Sequence, residues 1–453
     1  MGLTERLDRS KVMQHFQLHK YGTKFTTETF AGMSTFLSLA YIFIVNPAIL
    51  AQSGIDPKAA LFATVISASL ATLAMGFWAN LPFAVAPGLT MNSYFTYVVS
   101  KKMHMTWQEG LCAVFVSGIV CVTLTALPVR QRIIDSIPFG LKRSIAVTVG
   151  VFVATIGLFL SKIISFTSYG FIDISALNVD ILTAPLVMVF FTGLIVSIIL
   201  GLKRLNFPAG MLIAIIISAI TYHIFLPIAN SPVDSSGDFA SSLFKLDFSA
   251  FFHSRFWLPV LVFTILDFFE GIGEFIGMTS NTTIQDKNGN VTNIGRGLWV
   301  DGLGTIGGSL LGTSSLIIFV ESAVGIKVGG RTGLTAVVCS FLMMITAIAS
   351  YYFSSILYLI PAQATAGILV YVGYLLISNS VLLKPGERLS RLDFIIALTM
   401  CAISFLTFSL DKSLAFGLWA YFLLSLIPQN NQRPAYWLAG TAAALTAAIV
   451  WQG

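Results

Sequence analysis

The stretch of sequence that decides the fold reads Gly312-Thr-Ser-Ser-Leu-Ile-Ile-Phe-Val-Glu-Ser-Ala-Val-Gly-Ile-Lys-Val-Gly-Gly-Arg331. It lies where an apolar span is expected, yet it is too short and too rich in glycine to cross a bilayer as one regular helix. Its carboxylate, Glu321, would cost several kcal/mol at membrane depth unless it were paired, protonated or facing a cavity. A helix that is interrupted by small residues, with an acid at the break, is typical of the midplane site of a transporter.

The rest of the chain has the composition of a polytopic membrane protein. Of its 453 residues, 56% are hydrophobic and 10% are charged, whereas a soluble domain carries about 25% charged residues. Continuous apolar runs of about 20 residues predict an all-α polytopic membrane protein and exclude a β-barrel, whose strands would alternate. Residues 1–24 are polar and basic and lead straight into a full span, so we expect no cleavable signal.

Charge and cysteine usage narrow the class further. The sequence pI of about 9.1 is attributed to basic cytoplasmic loops and not to nucleic-acid binding. The distribution of Lys and Arg predicts a multi-pass protein of the cell (inner) membrane with a cytoplasmic N-terminus. The four cysteines lie in apolar segments without CxxC spacing, so neither a disulfide nor a metal site is predicted, and no cofactor is expected.

The apolar runs predict about fourteen transmembrane segments, seven on each side of the polar stretch Asn230–Arg255. Residues 393–427 form either one span or a helix pair. Because seven is odd, the two halves would have opposite orientations, as in inverted-topology repeats. The third run, with Pro82–Tyr94, and the tenth run, with Gly312–Glu321, are each predicted to begin extended and continue as a short helix. The alternative is the ordinary tolerance of membrane helices for glycine and proline.

The eighth run contains three acids, Asp267, Glu270 and Glu274, at positions i, i+3 and i+7. They project within an arc of about 60° on one helix face. Three ionised carboxylates on one buried face would repel one another, so at least one is expected to hold a proton near neutral pH. A solvated acidic surface is the alternative, and the surrounding Phe, Ile, Leu and Gly disfavour it. We predict that Asp267 or Glu274 carries or relays a proton.

Three other polar residues stand in or near apolar runs. Asn92 follows Pro87-Gly88, and its amide can bind a ligand or join two helices. Asp301 and Glu28 lie near the start of their runs, where interfacial capping is the predicted role.

A cluster of acids favours a ligand that carries N–H donors, since carboxylates accept hydrogen bonds. A flat heterocycle with alternating donors and acceptors suits such a site. Backbone of the interrupted segments would read the remaining edge of the ring. The residues predicted for this role are Ala86, Gly88, Phe319, Val320 and Ser322.

Three stretches, Thr27–Pro47, Ala86–Phe95 and Val320–Ala336, resemble the azaguanine-type purine permeases, a branch of the nucleobase–ascorbate transporter superfamily. The resemblance covers nearly the whole chain. It implies fourteen spans in two inverted seven-span repeats, and proton-driven uptake of purine bases, often by a homodimer. By motif position it assigns substrate binding to Glu270 and Glu321, the essential asparagine to Asn92 and a further acid to Asp267.

The resemblance also implies a core domain of spans 1–4 and 8–11 and a gate domain of spans 5–7 and 12–14. The predicted order along the chain is a cytoplasmic tail 1–26, core 27–128, gate 129–229, extracytoplasmic connection 230–256, core 257–353 and gate 354–453.

One stretch departs from the family pattern. The branch usually shows Asp-Leu-Phe-Asp-Thr-x-Gly-Thr, whereas this chain reads Asp267-Phe-Phe-Glu-Gly-Ile-Gly-Glu274. Glutamate is one methylene longer than aspartate and would place its carboxylate differently against a purine edge. The choice of base therefore stays open.

The predicted function is a proton-coupled symporter that imports purine nucleobases (adenine, guanine or hypoxanthine) by alternating access. The alternative is a transporter of the same fold for xanthine, uracil or a small anion, since fold alone does not decide function. A membrane-embedded enzyme is disfavoured, because HExxH, GxSxG and P-loop motifs are absent from the sequence. A simple channel is disfavoured by an acidic cluster beside interrupted segments, which suggests occlusion.

Overall fold

The computed structural model describes residues 11–127, 139–166, 172–173, 185–201, 209–225, 238–279, 284, 293–353, 362–381, 390–426 and 436–450. These residues are mainly helical. Five of the described helical segments are long and apolar enough to cross a bilayer: Phe25–Ser53, Pro57–Ala79, Trp107–Ala126, Gly140–Leu160 and Gly333–Ser350. Four shorter apolar helices accompany them. The predicted helical character is confirmed.

The described elements before the polar stretch begin with a short helix outside the apolar runs and continue with the helices of the first half. In chain order they are α1 (Lys11–Phe16), α2 (Phe25–Leu39), α3 (Ile42–Leu50), α4 (Pro57–Ala74), β1 (Val85–Pro87), α5 (Leu89–Ser93), α6 (Trp107–Ala126), α7 (Phe139–Leu160), β2 (Ser165–Phe166), β3 (Ile172–Asp173), α8 (Pro185–Gly201) and α9 (Gly210–Phe225). Two π-helical segments, Met75–Ala79 and Tyr94–Lys102, extend α4 and α5.

The second half opens with two 3-10 turns, Phe248–Phe252 and Ser254–Phe256. Its helices and strand are α10 (Trp257–Thr279), α11 (Ile294–Leu311), β4 (Leu316–Ile318), α12 (Ser322–Val328), α13 (Gly333–Phe353), α14 (Ala366–Val381), α15 (Arg391–Thr407), α16 (Leu410–Ser425) and α17 (Tyr436–Val450).

The segment 393–427 is a helix pair, α15 and α16. Phe408 ends α15 in the left-handed region, with φ of 47°, and Ser409 then caps α16 by accepting from the Lys412 amide at 3.3 Å. The Lys102 ammonium donates to the Thr407 carbonyl at 3.0 Å. The Thr407 carbonyl is one of the last carbonyl groups of α15, and such groups have no partner within the helix.

Two segments in the interior are interrupted, and they pair with each other. Strands β1 and β4 are antiparallel, with Val85 opposite Ile318 and Pro87 opposite Leu316. Gly312 ends α11 with φ of 104°, a conformation that favours glycine, so the chain leaves the helix before β4. Each strand continues into a short helix, α5 or α12. The structure therefore shows the extended-then-helical course that the sequence predicts for both segments.

The outer edge of each strand is hydrogen-bonded by a threonine of a neighbouring helix. The Thr72 hydroxyl, on α4, accepts from the Val85 amide at 2.9 Å and lies 3.1 Å from the Val85 carbonyl. The Thr305 hydroxyl, on α11, donates to the Leu316 carbonyl at 3.0 Å. Both threonines are buried. A two-stranded ribbon in an apolar interior needs such partners, because water cannot satisfy its free edges.

We expect Thr72→Val and Thr305→Val each to destabilise the protein. Valine keeps the shape but leaves a buried backbone group unsatisfied, which costs about 1–3 kcal/mol. The measurement is the thermal unfolding midpoint of the detergent-solubilised protein. Thr123→Val is the matched control, because the exposed Thr123 hydroxyl only donates to Ile119 of its own helix. Equal midpoints for all three variants would contradict this role.

Candidate binding site between the paired strands

The paired strands bring together most of the backbone residues that the sequence predicts for the site. Ala86 lies opposite Ile317 in the register. The Gly88 amide donates to the Ser315 carbonyl at 3.1 Å, and the Phe319 amide donates to the Ala84 carbonyl at 2.9 Å. All are buried. Residues that stand more than 200 positions apart in the sequence thus form one hydrogen-bonded unit.

Two small residues allow this close approach. The Ser322 hydroxyl, at the start of α12, accepts from the Ala84 amide at 2.9 Å. A Cβ atom on Gly88 would lie 2.7 Å from Cδ1 of Ile317, so any side chain there would push the strands apart.

The Val320 carbonyl accepts from the Ala323 amide at 2.9 Å. Its own amide has no hydrogen-bond partner among the described residues.

Glu321 stands at the N-cap position of α12 but its side chain does not cap that helix. Instead, its carboxylate oxygen Oε1 accepts a hydrogen bond of 2.7 Å from the Tyr41 hydroxyl. Tyr41 lies in the turn between α2 and α3 and is 1% exposed. Sequence analysis missed Tyr41, because a tyrosine in an apolar run has no spacing signal that marks it.

Asn92 is fully buried on α5. Its Oδ1 accepts a hydrogen bond from the Ser314 hydroxyl, which precedes β4. Its Nδ2 has no hydrogen-bond partner among the described residues. The amide is therefore held on one side and presents a buried donor on the other. This arrangement favours the ligand role over helix–helix bonding, since the bond that is made goes to the interrupted segment.

The predicted acidic face lies on α10, which packs against β4 and α12. Asp267 is 1% exposed there. Glu270 and Glu274 belong to the same helix, but their side chains fall outside the described part of the structure. The convergence of all three carboxylates with Glu321 remains a prediction.

Two acids were predicted to be interfacial caps, and both predictions need correction. Glu28 is fully buried and caps a different helix, accepting from the amides of Arg331 at 2.9 Å and Thr335 at 3.2 Å just before and within α13. Asp301 is also fully buried, and it is not a cap. Helix α11 begins at Ile294, so Asp301 lies about two turns inside it.

We expect Glu28→Gln to lower the amount of folded protein in the membrane. An amide offers one acceptor oxygen where the carboxylate offers two, and its NH₂ group would face backbone donors. Hydrogen bonds to a charged group contribute about 1.5–3 kcal/mol. Immunoblotting and thermal unfolding measure the effect.

The control for this change is Asp56→Asn. Asp56 caps α4 by accepting from the Lys58 and Ala59 amides at 2.8 and 3.1 Å, and asparagine caps about equally well. Wild-type stability of Glu28→Gln, or an equal loss in both variants, would contradict the buried-cap interpretation.

Residues 26–410 match the model of the Permease family. The chain belongs to that family. The permease is similar to the adenine permease AdeQ of Escherichia coli K12, with 31% identity over 412 residues that cover 91% of this chain and 90% of that protein. It is also similar to the guanine/hypoxanthine permease PbuG of Bacillus subtilis 168, with 30% identity over 419 residues, 89% of this chain and 91% of that protein.

The fold of the permease is similar to a solved membrane domain. The transmembrane domain of a cyanobacterium bicarbonate transporter, BicA, superposes with a TM-score of 0.64 at 16% identity, over 86% of this chain and 97% of that one. The permease is thus a multi-pass membrane transporter and not an enzyme. The resemblance to the purine permease branch is confirmed.

Proposed function

We propose that the permease is a proton-coupled symporter that imports purine nucleobases, such as adenine, guanine or hypoxanthine, across the cell (inner) membrane. The observation that carries this proposal is the pairing of β1 with β4. It joins the segment that carries Asn92 and the segment that carries Glu321 in one buried unit. The similarity of the chain to an adenine permease and to a guanine/hypoxanthine permease supports the same substrate class.

The chemistry of the site suits the edge of a purine. Glu321 has one described hydrogen-bond donor, Tyr41, and further acceptor capacity for a ring N–H. The Asn92 amide and the Val320 amide supply donors for ring nitrogens or an exocyclic oxygen. Glu270 provides the second carboxylate. A base that is held on both edges in this way would be recognised by its alternation of donors and acceptors.

Proton coupling is assigned to the acidic face of α10. Asp267 or Glu274 binds the proton, and the proton lowers the repulsion that the substrate-binding acids would otherwise experience. Substrate and proton then favour each other's bound state, and this coupling is reciprocal by thermodynamic linkage. An electrochemical proton gradient would therefore drive uptake of the base.

Alternating access would move the core, residues 27–128 and 257–353, against the gate, residues 129–229 and 354–453. The matched positions of β1 and β4, each with a threonine on the preceding helix, support two inverted seven-span repeats.

Tyr97 of the core lies edge-on to Phe159 and Phe408 of the gate, with ring centroids 6.1 and 6.3 Å apart. These rings would part when the permease opens on their side. The proposed orientation places the N-terminus in the cytoplasm, as the distribution of Lys and Arg predicts. The proposed homodimer rests on the family resemblance alone.

Uptake by proteoliposomes with an imposed inward proton gradient tests the proposal. Labelled adenine, guanine or hypoxanthine should accumulate, and a protonophore should abolish accumulation. Glu321→Gln and Glu270→Gln should each reduce uptake to the level of empty liposomes, because the neutral amide removes the charged acceptor and can turn an NH₂ donor toward a ring N–H.

Asp238→Asn serves as the control, since the Asp238 side chain accepts from the Ala240 amide in an exposed loop. It should transport at the wild-type rate. Uptake that survives Glu321→Gln would contradict the site, and uptake that ignores the protonophore would contradict the coupling. Inhibition by uracil, xanthine or bicarbonate, with no inhibition by the three purines, would reassign the substrate.

A further inference from the structure

We infer that Tyr41 is a positioning residue for substrate recognition, acting by holding the carboxylate of Glu321 in a fixed orientation. This inference rests on the proposed function. It concerns a contact between the first apolar segment and the second interrupted segment, whose residues are separated by 280 positions.

The contact has the geometry of a strong hydrogen bond. The Tyr41 hydroxyl and Oε1 of Glu321 are 2.7 Å apart, in the short range of hydrogen bonds to a carboxylate. The phenol ring is 1% exposed and is one of the largest fully buried side chains among the described residues. A tyrosine hydroxyl has a single proton to donate. It can therefore fix the carboxylate while the other oxygen and the remaining lone pairs are left for a ligand.

Tyr41 is itself held in place on both sides along its segment. Toward the N-terminus, Glu28 accepts from the Arg331 amide at 2.9 Å. Toward the C-terminus, the Asn46 side chain donates to the hydroxyls of Thr64 at 2.6 Å and Thr313 at 3.0 Å. The positions Arg331 and Thr313 flank Glu321 in the sequence. The segments that carry the phenol and the carboxylate are thus joined before and after the contact.

The backbones of these segments also touch directly. A Cβ atom on Gly325 of α12 would lie 2.6 Å from the Ala31 carbonyl of α2. The two helices cannot shift toward each other, and the hydrogen bonds at both ends oppose their separation. The distance from Tyr41 to Glu321 is therefore set by packing and not by the ligand. Such preorganisation is what a binding group needs if it is to hold a base without first paying for its own ordering.

The hydrogen-bond donors that surround Glu321 differ from those that surround Glu28. Glu28 receives hydrogen bonds from the amides of Arg331, Thr332 and Thr335 and from the Thr335 hydroxyl. Among the described residues, the hydrogen bond that Glu321 receives from another residue comes from the Tyr41 hydroxyl. This single bond leaves acceptor capacity on the Glu321 carboxylate unused. A carboxylate that is restrained but not saturated is suited to binding an N–H donor.

Tyr41→Phe tests the role, with equilibrium binding of labelled adenine, guanine and hypoxanthine to the purified protein and with uptake kinetics. We expect the dissociation constant and KM for the transported base to rise about tenfold, since a carboxylate that is no longer held must be ordered when the base binds. We expect Vmax and the thermal midpoint without ligand to stay near wild-type values, because phenylalanine fills the same space.

Tyr421→Phe is the matched control. Like Tyr41, Tyr421 is buried (4% exposed), and its hydroxyl donates to a carboxylate oxygen, that of Asp393, at 2.8 Å. Unlike Tyr41, it lies on α16, in the predicted gate domain. It should leave KM and the dissociation constant unchanged. A tenfold rise in both tyrosine variants would indicate a general loss of packing and would overturn the specific role of Tyr41.

The outcomes separate the two proposals. If wild-type protein binds none of the three bases, the proposed function falls, and the inference falls with it. If wild-type protein binds a base and Tyr41→Phe binds it equally well, only the positioning role is overturned. A Tyr41→Phe variant that fails to accumulate in the membrane, or that loses Vmax and stability at unchanged KM, would assign Tyr41 a structural role and would also overturn the inference.

Discussion

The hydrogen-bonded pairing of two three-residue strands inside a helical membrane protein is the constraint on which the rest of this structure depends. Backbone that leaves the helix at membrane depth must find partners, because the bilayer core offers none. Strands β1 and β4 supply them to each other, and Thr72 and Thr305 complete the outer edges. The pairing needs two interruptions that meet, so neither half of the chain can form this unit alone.

Once the strands are paired, the positions of the surrounding side chains follow. Asn92 reaches Ser314 across the pair, and Glu321 emerges at the end of β4 where the chain turns into α12. Helix α10 packs against the same strand and helix, and its acidic face is predicted to meet this unit. The carboxylates then differ in their hydrogen-bond partners. Glu28 has its hydrogen-bonding capacity filled by four donors and stabilises a helix end, whereas Glu321 has one described partner from another residue and retains capacity.

Local chemistry made much of this predictable from the sequence. Glycine and proline in apolar runs marked both interruptions, and Glu321 stood out because a carboxylate is costly in such a run. Asp411-Lys412 within residues 393–427 marked the helix pair for the same reason. Contacts between distant segments were not predictable. Tyr41 and Ser314 have no periodic signal, and each matters only through a partner more than 200 residues away.

The roles of Glu28 and Asp301 were misjudged for a related reason. Both were placed near an interface from the limits of apolar runs, and hydropathy locates a helix end only to within a few residues. Asp301 became internal because residues 294–297, which precede its apolar run, are also helical, and Glu28 became buried because α13 packs over it. Burial at a helix start thus depends on tertiary neighbours, which a single sequence does not reveal.

The decisive measurement is an experimental structure of the permease with adenine, guanine or hypoxanthine bound. We expect density for the base beside the β1–β4 pair, with a ring N–H within hydrogen-bond distance of the Glu321 carboxylate and the Asn92 amide facing the opposite edge. A base bound elsewhere, or a continuous helix through residues 312–328 in place of the paired strand, would contradict it.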